Sequence, residues 1–347
     1  MAKKHLFIIL IMAPLLGIIA GGAKVYHSIS IWTYDGEAKS FSIKPGEGFG
    51  KINYRLYKED LISSSKLFYR YNKINKNMES FKAGNYIIEP GSNMLSVIKT
   101  LTTGKGVTIS VTIPEGKNLF EIAKILETKK VTSAKEFIKF SKDADFASSI
   151  GIPASRVEGY LYPDTYHFAE NTPANHIIRA MVATFRSKTR EIDFSTSKLS
   201  KHSVVILASV VEKETGASFE RPLIAGVFQN RLKKRMRLQS DPTTIYGIWE
   251  NYKGNLRKRH LLEKTPYNTY KISGLPKGPI SNPGLESIRA VLNPDKHKYL
   301  YFVSKNDGTH VFSKSYKEHI KAVNEYQKKS KNRKGKSWRD LKQKKSK

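Results

Sequence analysis

Residues 203–216 read SVVILASVVEKETG, an apolar run that ends abruptly in charged side chains. The run 204–211 is too uniform for a helix with one exposed face, so it predicts a helix that is buried on most sides. Gly216 is suited to end this helix in a left-handed conformation, which puts Glu212 in the last turn. Burial and the negative end of the helix dipole both disfavour a carboxylate there. We therefore expect a raised pKa for Glu212, which makes it the first candidate for a general acid.

A structural role is the alternative interpretation of Glu212. A carboxylate at the end of a core helix can reach solvent or pair with a nearby cation, here Lys213, Arg221 or Arg231. Spacing alone does not separate the two interpretations. Glu214 lies about 200° further around the helix, which predicts a solvated side chain.

The charge of the chain restricts its partners. The 347 residues carry a formal net charge of +31, which favours nucleic acid, an anionic membrane surface or an acidic polymer. This length, with 39% apolar residues, allows one large or two moderate domains with a sizeable core. The sequence contains no cysteine, which excludes disulfides and thiolate metal sites and would suit an oxidising compartment.

The N-terminus predicts a membrane anchor. Residues 5–23 include no Lys, Arg, Asp or Glu, and this run of 19 residues can just cross a bilayer. Because Lys3 and Lys4 precede the run, the rest of the chain should lie across the membrane from the cytoplasm. A cleaved signal peptide is the alternative, since Gly21 and Ala23 offer small residues at a cleavage site. We favour the uncleaved anchor, and either interpretation argues against a nucleic-acid partner.

A strand, a Pro/Gly turn and an amphipathic helix recur in the first half of the chain. The pattern occurs in residues 43–62, 86–101 and 113–131. Small α+β modules of this kind often bind extended polymers such as glycans. These segments resemble the LysM-like regions of wall-associated proteins.

Aromatic and polar side chains suited to sugars follow. In residues 158–166, EGYLYPDTY, the rings of Tyr160, Tyr162 and Tyr166 can form a stacking platform for a sugar or serve as ordinary core aromatics. A later loop is dense in hydrogen-bonding side chains, although each of them can equally be a turn or capping residue. The candidates are Asn230, Gln239, Ser240, Asp241 and Tyr246.

The C-terminal part predicts a helix, a hairpin and a tail. Asn282 can cap a helix that begins at Pro283. Residues 299–312 predict a β-hairpin, and Ser315 with Glu318 predicts a capping box for a last helix. From residue 328 the chain holds eleven Lys or Arg against one acidic residue, which predicts a disordered tail.

Eight short motifs follow one another along the chain: EGYLYPDTY (158–166), VEKET (211–215), FQNRL (228–232), LQSDPTTIYG (238–247), YNTY (267–270), GLPKGPI (274–280), NPG (282–284) and LYFV (300–303). In this order and spacing they resemble the motifs of the YceG/MltG endolytic murein transglycosylases. The resemblance covers about residues 41–326, and the N-terminal anchor fits it. Ser240 stands where Thr would equally be expected, which retains the hydroxyl.

The resemblance implies non-hydrolytic cleavage of the β-1,4 bond between N-acetylmuramic acid and N-acetylglucosamine within glycan strands. It places the catalytic glutamate on Glu212, which would act as acid and then as base to give a 1,6-anhydro end. No metal or organic cofactor is implied. The implied substrate contacts are Glu158, Asn230, Gln239, Ser240, Asp241, Tyr246, Asn268 and Tyr270.

The predicted fold is α+β, with an N-terminal transmembrane helix, a small LysM-like α+β module and a larger mixed α+β catalytic domain. The predicted location is the inner membrane, with the catalytic domain periplasmic or otherwise extracytoplasmic. Predicted partners are glycan strands, peptidoglycan synthases and, for the tail, anionic lipid or polymer. The predicted segments are 1–26 (cytoplasmic tip and anchor), 41–152 (LysM-like region), 153–326 (catalytic domain) and 327–347 (polybasic tail).

Two rival functions are a non-catalytic glycan-binding scaffold and a pyridoxal-phosphate lyase. The scaffold would use the same aromatic side chains without a buried acid. The cofactor of such a lyase is cytosolic, which argues against this function for an exported protein.

Overall fold

The computed structural model describes residues 12, 16–17, 19–103 and 108–329. Within them the protein has a mixed α+β architecture, so the predicted fold class is confirmed at that level. The described strands form three sheets of two strands each.

The predicted anchor, residues 5–23, lies largely outside the described residues, as does most of the polybasic tail. In the part of the chain that the structure describes, no helix combines the length and the apolar character that a membrane crossing requires. The transmembrane helix therefore stays a prediction.

The chain divides into two compact units. The N-terminal unit contains the described residues up to Val111, with Lys129–Thr132 and His167–Pro173. The remainder, mostly residues beyond Ala174, forms the C-terminal unit, to which Thr112–Thr128 and Ser133–Tyr166 also belong. The predicted LysM-like character of the N-terminal region stays a prediction.

The N-terminal unit is built on the predicted strand-turn-helix repeat. Its two strands pair antiparallel, with Phe41 opposite Tyr86, and both of these rings are buried. The repeat's turns have a positive φ at Gly46 (79°), Gly91 (81°) and, before the first helix of the C-terminal unit, Gly116 (73°), a conformation that favours glycine. The elements are a π-helical turn His27–Ile31, β1 Lys39–Ile43, α1 Phe49–Lys58, α2 Ser65–Ile74, β2 Gly84–Ile88 and α3 Met94–Thr103.

The C-terminal unit surrounds helix α8. Strand β3 Ile109–Thr112 pairs with β4 Thr165–Phe168. The helices before α8 are α4 Leu119–Thr128, α5 Ala134–Ser141, α6 Ala144–Ser149 and α7 Ala174–Lys188. The elements from α8 onward are α8 Lys201–Glu214, α9 Arg221–Lys233, α10 Asp241–Gly247, α11 Lys258–Leu262, α12 Leu285–Leu292, β5 Tyr301–Ser304, β6 His310–Ser313 and α13 Tyr316–Val323, with 3₁₀ turns at Phe194–Thr196, Ser218–Glu220 and Trp249–Asn251 and a π turn at Asn324–Lys328.

Helix α8 is the buried helix that the sequence predicts. The Ser200 hydroxyl accepts from the Ser203 amide at 3.2 Å and caps its first turn. All eight residues of the apolar run are buried, and α9, α10 and α12 pack around them. The helix ends because Thr215 is extended, with φ of −134°. The predicted left-handed end at Gly216 is wrong, since Gly216 does not have a positive φ.

The C-terminal elements follow the predicted pattern with one exception. Strands β5 and β6 form the hairpin, and Ser315 and Glu318 make both hydrogen bonds of the capping box. The exception is the helix after Asn282, which begins at Leu285 with Gly284 at its N-cap. The Asn282 side chain is fully occupied elsewhere and does not cap it.

Candidate active site

Helix α8 ends in two carboxylates that face different surroundings. The Glu214 carboxylate accepts from the Ser240 hydroxyl. The Glu212 carboxylate lies against Arg221 and the start of α12. Side chains two positions apart on a helix point about 200° away from each other, so the two carboxylates lie in different environments.

Glu214 lines a cavity of about 380 Å³ that also contains Gln239, Asp241 and Tyr270. The predicted solvated position of Glu214 is wrong, because the segment before α10 folds back over it and Ser240 is almost fully buried. Burial raises the pKa of Glu214 to about 7. The Ser240 hydroxyl opposes this rise, whereas the charge of Asp241 adds to it.

Backbone and side-chain contacts hold the remaining walls of this cavity. The Arg231 guanidinium donates to the carbonyls of Leu300 and Leu238 at 2.6 and 2.7 Å, so backbone oxygens fix its position. Its positive charge lowers the pKa of Glu214. The Tyr270 hydroxyl donates to the Asp241 carboxylate at 2.7 Å. The cavity therefore presents a protonatable carboxyl group beside a rigid set of hydrogen-bonding side chains.

Glu212 has protein partners on both carboxylate oxygens. The Arg221 guanidinium donates to one oxygen at 3.0 Å. The Gly284 amide and the Ser287 hydroxyl donate to the other at 3.1 and 2.7 Å. The side chain is only 5% exposed. These contacts match the structural alternative, an ion pair with Arg221, and they join the end of α8 to the start of α12.

Glu115 is the second carboxylate near Arg221. Its carboxylate lies 3.4 Å from the Arg221 guanidinium, which thus bridges Glu115 and Glu212. Burial and the charge of Glu212 raise the pKa of Glu115. The Lys213 ammonium donates to the Gly116 carbonyl at 3.1 Å, so it does not pair with Glu212.

Glu158 lies in the interior and is 2% exposed. It accepts from the Leu119 amide at 3.0 Å, the Tyr246 hydroxyl at 2.9 Å and the Asn282 amide at 2.7 Å. Burial raises its pKa to about 7, and these three donors oppose the rise. A carboxyl group with this many internal partners organises the surrounding loops.

The other predicted contacts do not all lie in one place. Gln239, Ser240, Asp241 and Tyr270 gather around Glu214. Asn268 is fully buried, and its amide donates to three backbone carbonyls of the 260–263 segment.

Asn230 lies apart from both carboxylates of α8. Its amide donates to the carbonyls of His297 and Tyr299 at 2.9 and 3.1 Å. It lines a different cavity from Glu214. The hydrogen-bonding capacity of Asn230 is thus used to hold the chain after α12.

The tyrosines of residues 158–166 are all buried, as the core alternative predicts. The Tyr160 hydroxyl lies 2.7 Å from Nδ1 of His202, and the Tyr166 hydroxyl donates to the Tyr162 carbonyl at 2.6 Å. Their faces are therefore poorly placed to stack on a sugar.

One cavity was missed by sequence reasoning. It lies between α4 and the region around α10, and its walls include Phe120, Trp249 and Tyr267. No local pattern links these rings, because they come from distant parts of the chain.

Among the described residues, no group of three or more His, Asp or Glu could hold a metal ion.

The Glu214 cavity belongs to a recognisable class of site. A carboxyl group with a pKa near neutral, set among fixed hydrogen-bonding side chains, is suited to general acid-base chemistry. A family model described as the YceG-like family matches residues 41–325, so the protein belongs to the YceG-like family. The resemblance seen in the sequence motifs is thereby confirmed.

Similar proteins come from several bacteria. The endolytic murein transglycosylase of Bacillus subtilis (strain 168) is 36% identical over 330 residues, which cover 89% of this chain and 91% of that protein. The endolytic murein transglycosylase of Streptococcus pneumoniae (strain ATCC BAA-255 / R6) is 30% identical over 364 residues, which cover 92% of this chain and 65% of that protein. A 2.6 Å crystal structure of a putative yceG-like protein from Listeria monocytogenes is 34% identical, with a TM-score of 0.56 over 82% of this chain and 99% of that chain.

Proposed function

We propose that this protein is a lytic transglycosylase that cleaves peptidoglycan within its glycan strands. Two relatives that match most of the chain are named endolytic murein transglycosylases, which supports the substrate class. The observation that carries the proposal is Glu214, whose pKa of about 7 leaves a proton to donate at the wall of a polar cavity. A non-catalytic glycan-binding scaffold has no need of such a group.

The proposed reaction uses one carboxyl group twice. Protonated Glu214 donates to the oxygen that leaves with N-acetylglucosamine. The resulting carboxylate then takes the proton of the muramic acid C6 hydroxyl, which attacks its own anomeric carbon and gives a 1,6-anhydro end. Water is not consumed. This differs from hydrolysis, which normally requires a second carboxylate at a set separation.

The geometry favours Glu214 over Glu212 for this role. A general acid must reach the leaving oxygen, and both oxygens of Glu212 are already occupied by Arg221, Gly284 and Ser287. Glu214 has one hydroxyl partner and shares its cavity with three predicted substrate contacts. The assignment of Glu212, which the sequence resemblance implies, stays a prediction that is tested beside Glu214 below.

Product analysis tests the proposed reaction. The purified full-length protein is incubated with peptidoglycan, and the released fragments are examined by mass spectrometry. We expect long glycan fragments that carry 1,6-anhydromuramic acid at the new end. New reducing ends would indicate a hydrolase, and intact strands would indicate a scaffold, so either result overturns the proposal.

Ser240→Ala should move the alkaline limb of the pH profile of kcat/KM to higher pH. The Ser240 hydroxyl stabilises the Glu214 carboxylate and lowers its pKa, so its loss raises that pKa and keeps the proton to higher pH. A hydrogen bond to a charged group is worth about 1.5 kcal/mol, which corresponds to a shift of about one pH unit. Ser240→Thr retains the hydroxyl and should leave the limb in place. If the alkaline limb of Ser240→Ala is unchanged, the group that titrates there is not Glu214.

We also propose that residues 5–23 anchor the protein and that the catalytic part faces away from the cytoplasm. The proposal is motivated by the uncharged run and by the preceding lysines. Peptidoglycan synthases are the proposed protein partners.

We propose that the basic tail contacts anionic lipid or polymer. Co-sedimentation of full-length and tail-truncated protein with anionic vesicles, at low and at high salt, tests this role. Equal sedimentation at low salt would exclude that role.

A further inference from the structure

A second cavity of the C-terminal unit, of about 370 Å³, lies at the far end of α10 from Asp241. We call it the aromatic cavity. Its walls include Phe120, Tyr246, Trp249 and Tyr267. None of the reaction steps proposed above uses it.

The rings of the aromatic cavity are largely occupied by one another. Phe120 stacks on Trp249 with ring centres 5.8 Å apart and planes 13° apart. The Lys142 ammonium lies 4.7 Å from the centre of the Phe120 ring. Tyr246 and Tyr267 meet edge to face at 4.8 Å. These contacts form an apolar wall rather than an open platform for a sugar ring.

Two cations face this cavity without a partner. Arg156 and Lys277 line it, and neither side chain makes a hydrogen bond or ion pair with any of the described residues. Two carboxylates of the cavity, in contrast, have protein partners. Glu250 pairs with Lys142 at 3.0 Å, and Glu158 accepts hydrogen bonds from three protein donors.

Glu263 is the remaining acidic residue of the cavity wall, and it is exposed. Cations therefore outnumber unpaired carboxylates around an apolar wall, which favours an anionic ligand with small apolar groups.

The aromatic cavity and the Glu214 cavity share two segments of chain. Asp241 and Tyr246 lie near opposite ends of α10 and line different cavities. Tyr267 and Tyr270, three positions apart in sequence, also line different cavities. Since an α-helix rises 1.5 Å per residue, the two ends of α10 are about 9 Å apart. A ligand with a branch can span this distance.

We propose that the aromatic cavity binds the carboxylate-bearing peptide branch of a peptidoglycan strand whose sugars occupy the Glu214 cavity. Arg156 and Lys277 pair with the peptide carboxylates, and the aromatic wall contacts the alanyl methyl groups. The glycan backbone itself offers no charge to these cations. This inference rests on the proposed function, because it takes its ligand from the same polymer.

Binding of two small fragments tests the inference without any cleavage. The probes are the disaccharide N-acetylglucosaminyl-N-acetylmuramic acid with its pentapeptide and the same disaccharide with the peptide replaced by a lactyl amide. Neither contains the bond that the enzyme would cut. Calorimetry with the full-length protein in detergent gives both dissociation constants. We expect the peptide-bearing fragment to bind at least about tenfold more tightly.

The double variant Arg156→Gln with Lys277→Gln should lose that preference while its thermal unfolding stays unchanged. The matched control is Lys135→Gln, an exposed lysine of the same unit, which should retain the preference. Equal binding of the two fragments by the wild type would show a sugar subsite and overturn the inference. An unaltered preference in the double variant would overturn it too. Absence of anhydro products in the cleavage assay would instead count against the proposed function.

Discussion

Replacing Glu214 with Gln should lower the rate of glycan cleavage by at least about 100-fold, because Gln can neither donate nor accept the proton. The Ser240 hydroxyl can still donate to the Gln side-chain carbonyl, so the fold should persist. Anhydro ends released per unit time from peptidoglycan measure the rate. Circular dichroism and thermal unfolding confirm that the variant is folded.

Glu212→Gln is the matched variant on the same helix. The Gln carbonyl can still accept from Gly284 and Ser287, but the ion pair with Arg221 is lost. We expect lower stability and a much smaller loss of activity than in Glu214→Gln. A folded Glu212→Gln without activity, beside an active Glu214→Gln, would instead make Glu212 the acid.

Local pattern predicts much of the fold around these two residues. The uniform run 204–211 predicts a buried helix, since no arrangement of it leaves a polar face. The hairpin and the capping box are predicted for a similar reason, because each depends on side chains within a few positions of one another. The three strand-turn-helix repeats follow from their turn glycines and apolar spacing.

The surroundings of the carboxylates could not be predicted in this way. Glu214 is half-buried because residues 238–241 fold back over it, a contact that helical spacing does not encode. Glu212 already accepts hydrogen bonds from Gly284 and Ser287, which lie at the start of α12 and are distant from it in sequence. Sequence position identifies a helix end that carries two acids, and only long-range packing distinguishes them.

Asn282→Ala should lower the free energy of unfolding by about 3–5 kcal/mol. The Asn282 side chain is buried and makes four hydrogen bonds. Its amide donates to the Lys117 carbonyl and to Glu158 at 2.9 and 2.7 Å. Its carbonyl accepts from the amides of Gly159 and Leu161 at 2.8 and 2.9 Å. Alanine leaves these buried groups unsatisfied, and chemical denaturation measures the loss.

The pH dependence of this loss identifies its cause. Burial raises the pKa of folded Glu158 to about 7, so the stability it contributes is fully present below its unfolded pKa and is lost as pH rises through about 7. The Asn282 amide opposes that rise, and its removal moves the pKa of Glu158 higher still. The destabilisation should therefore be larger at about pH 8 than at about pH 6. Asn255→Ala, at an exposed position, should change stability by less than about 0.5 kcal/mol at both values. A loss in Asn282→Ala that does not vary with pH would show that the two backbone amides, rather than Glu158, determine the stability of this network.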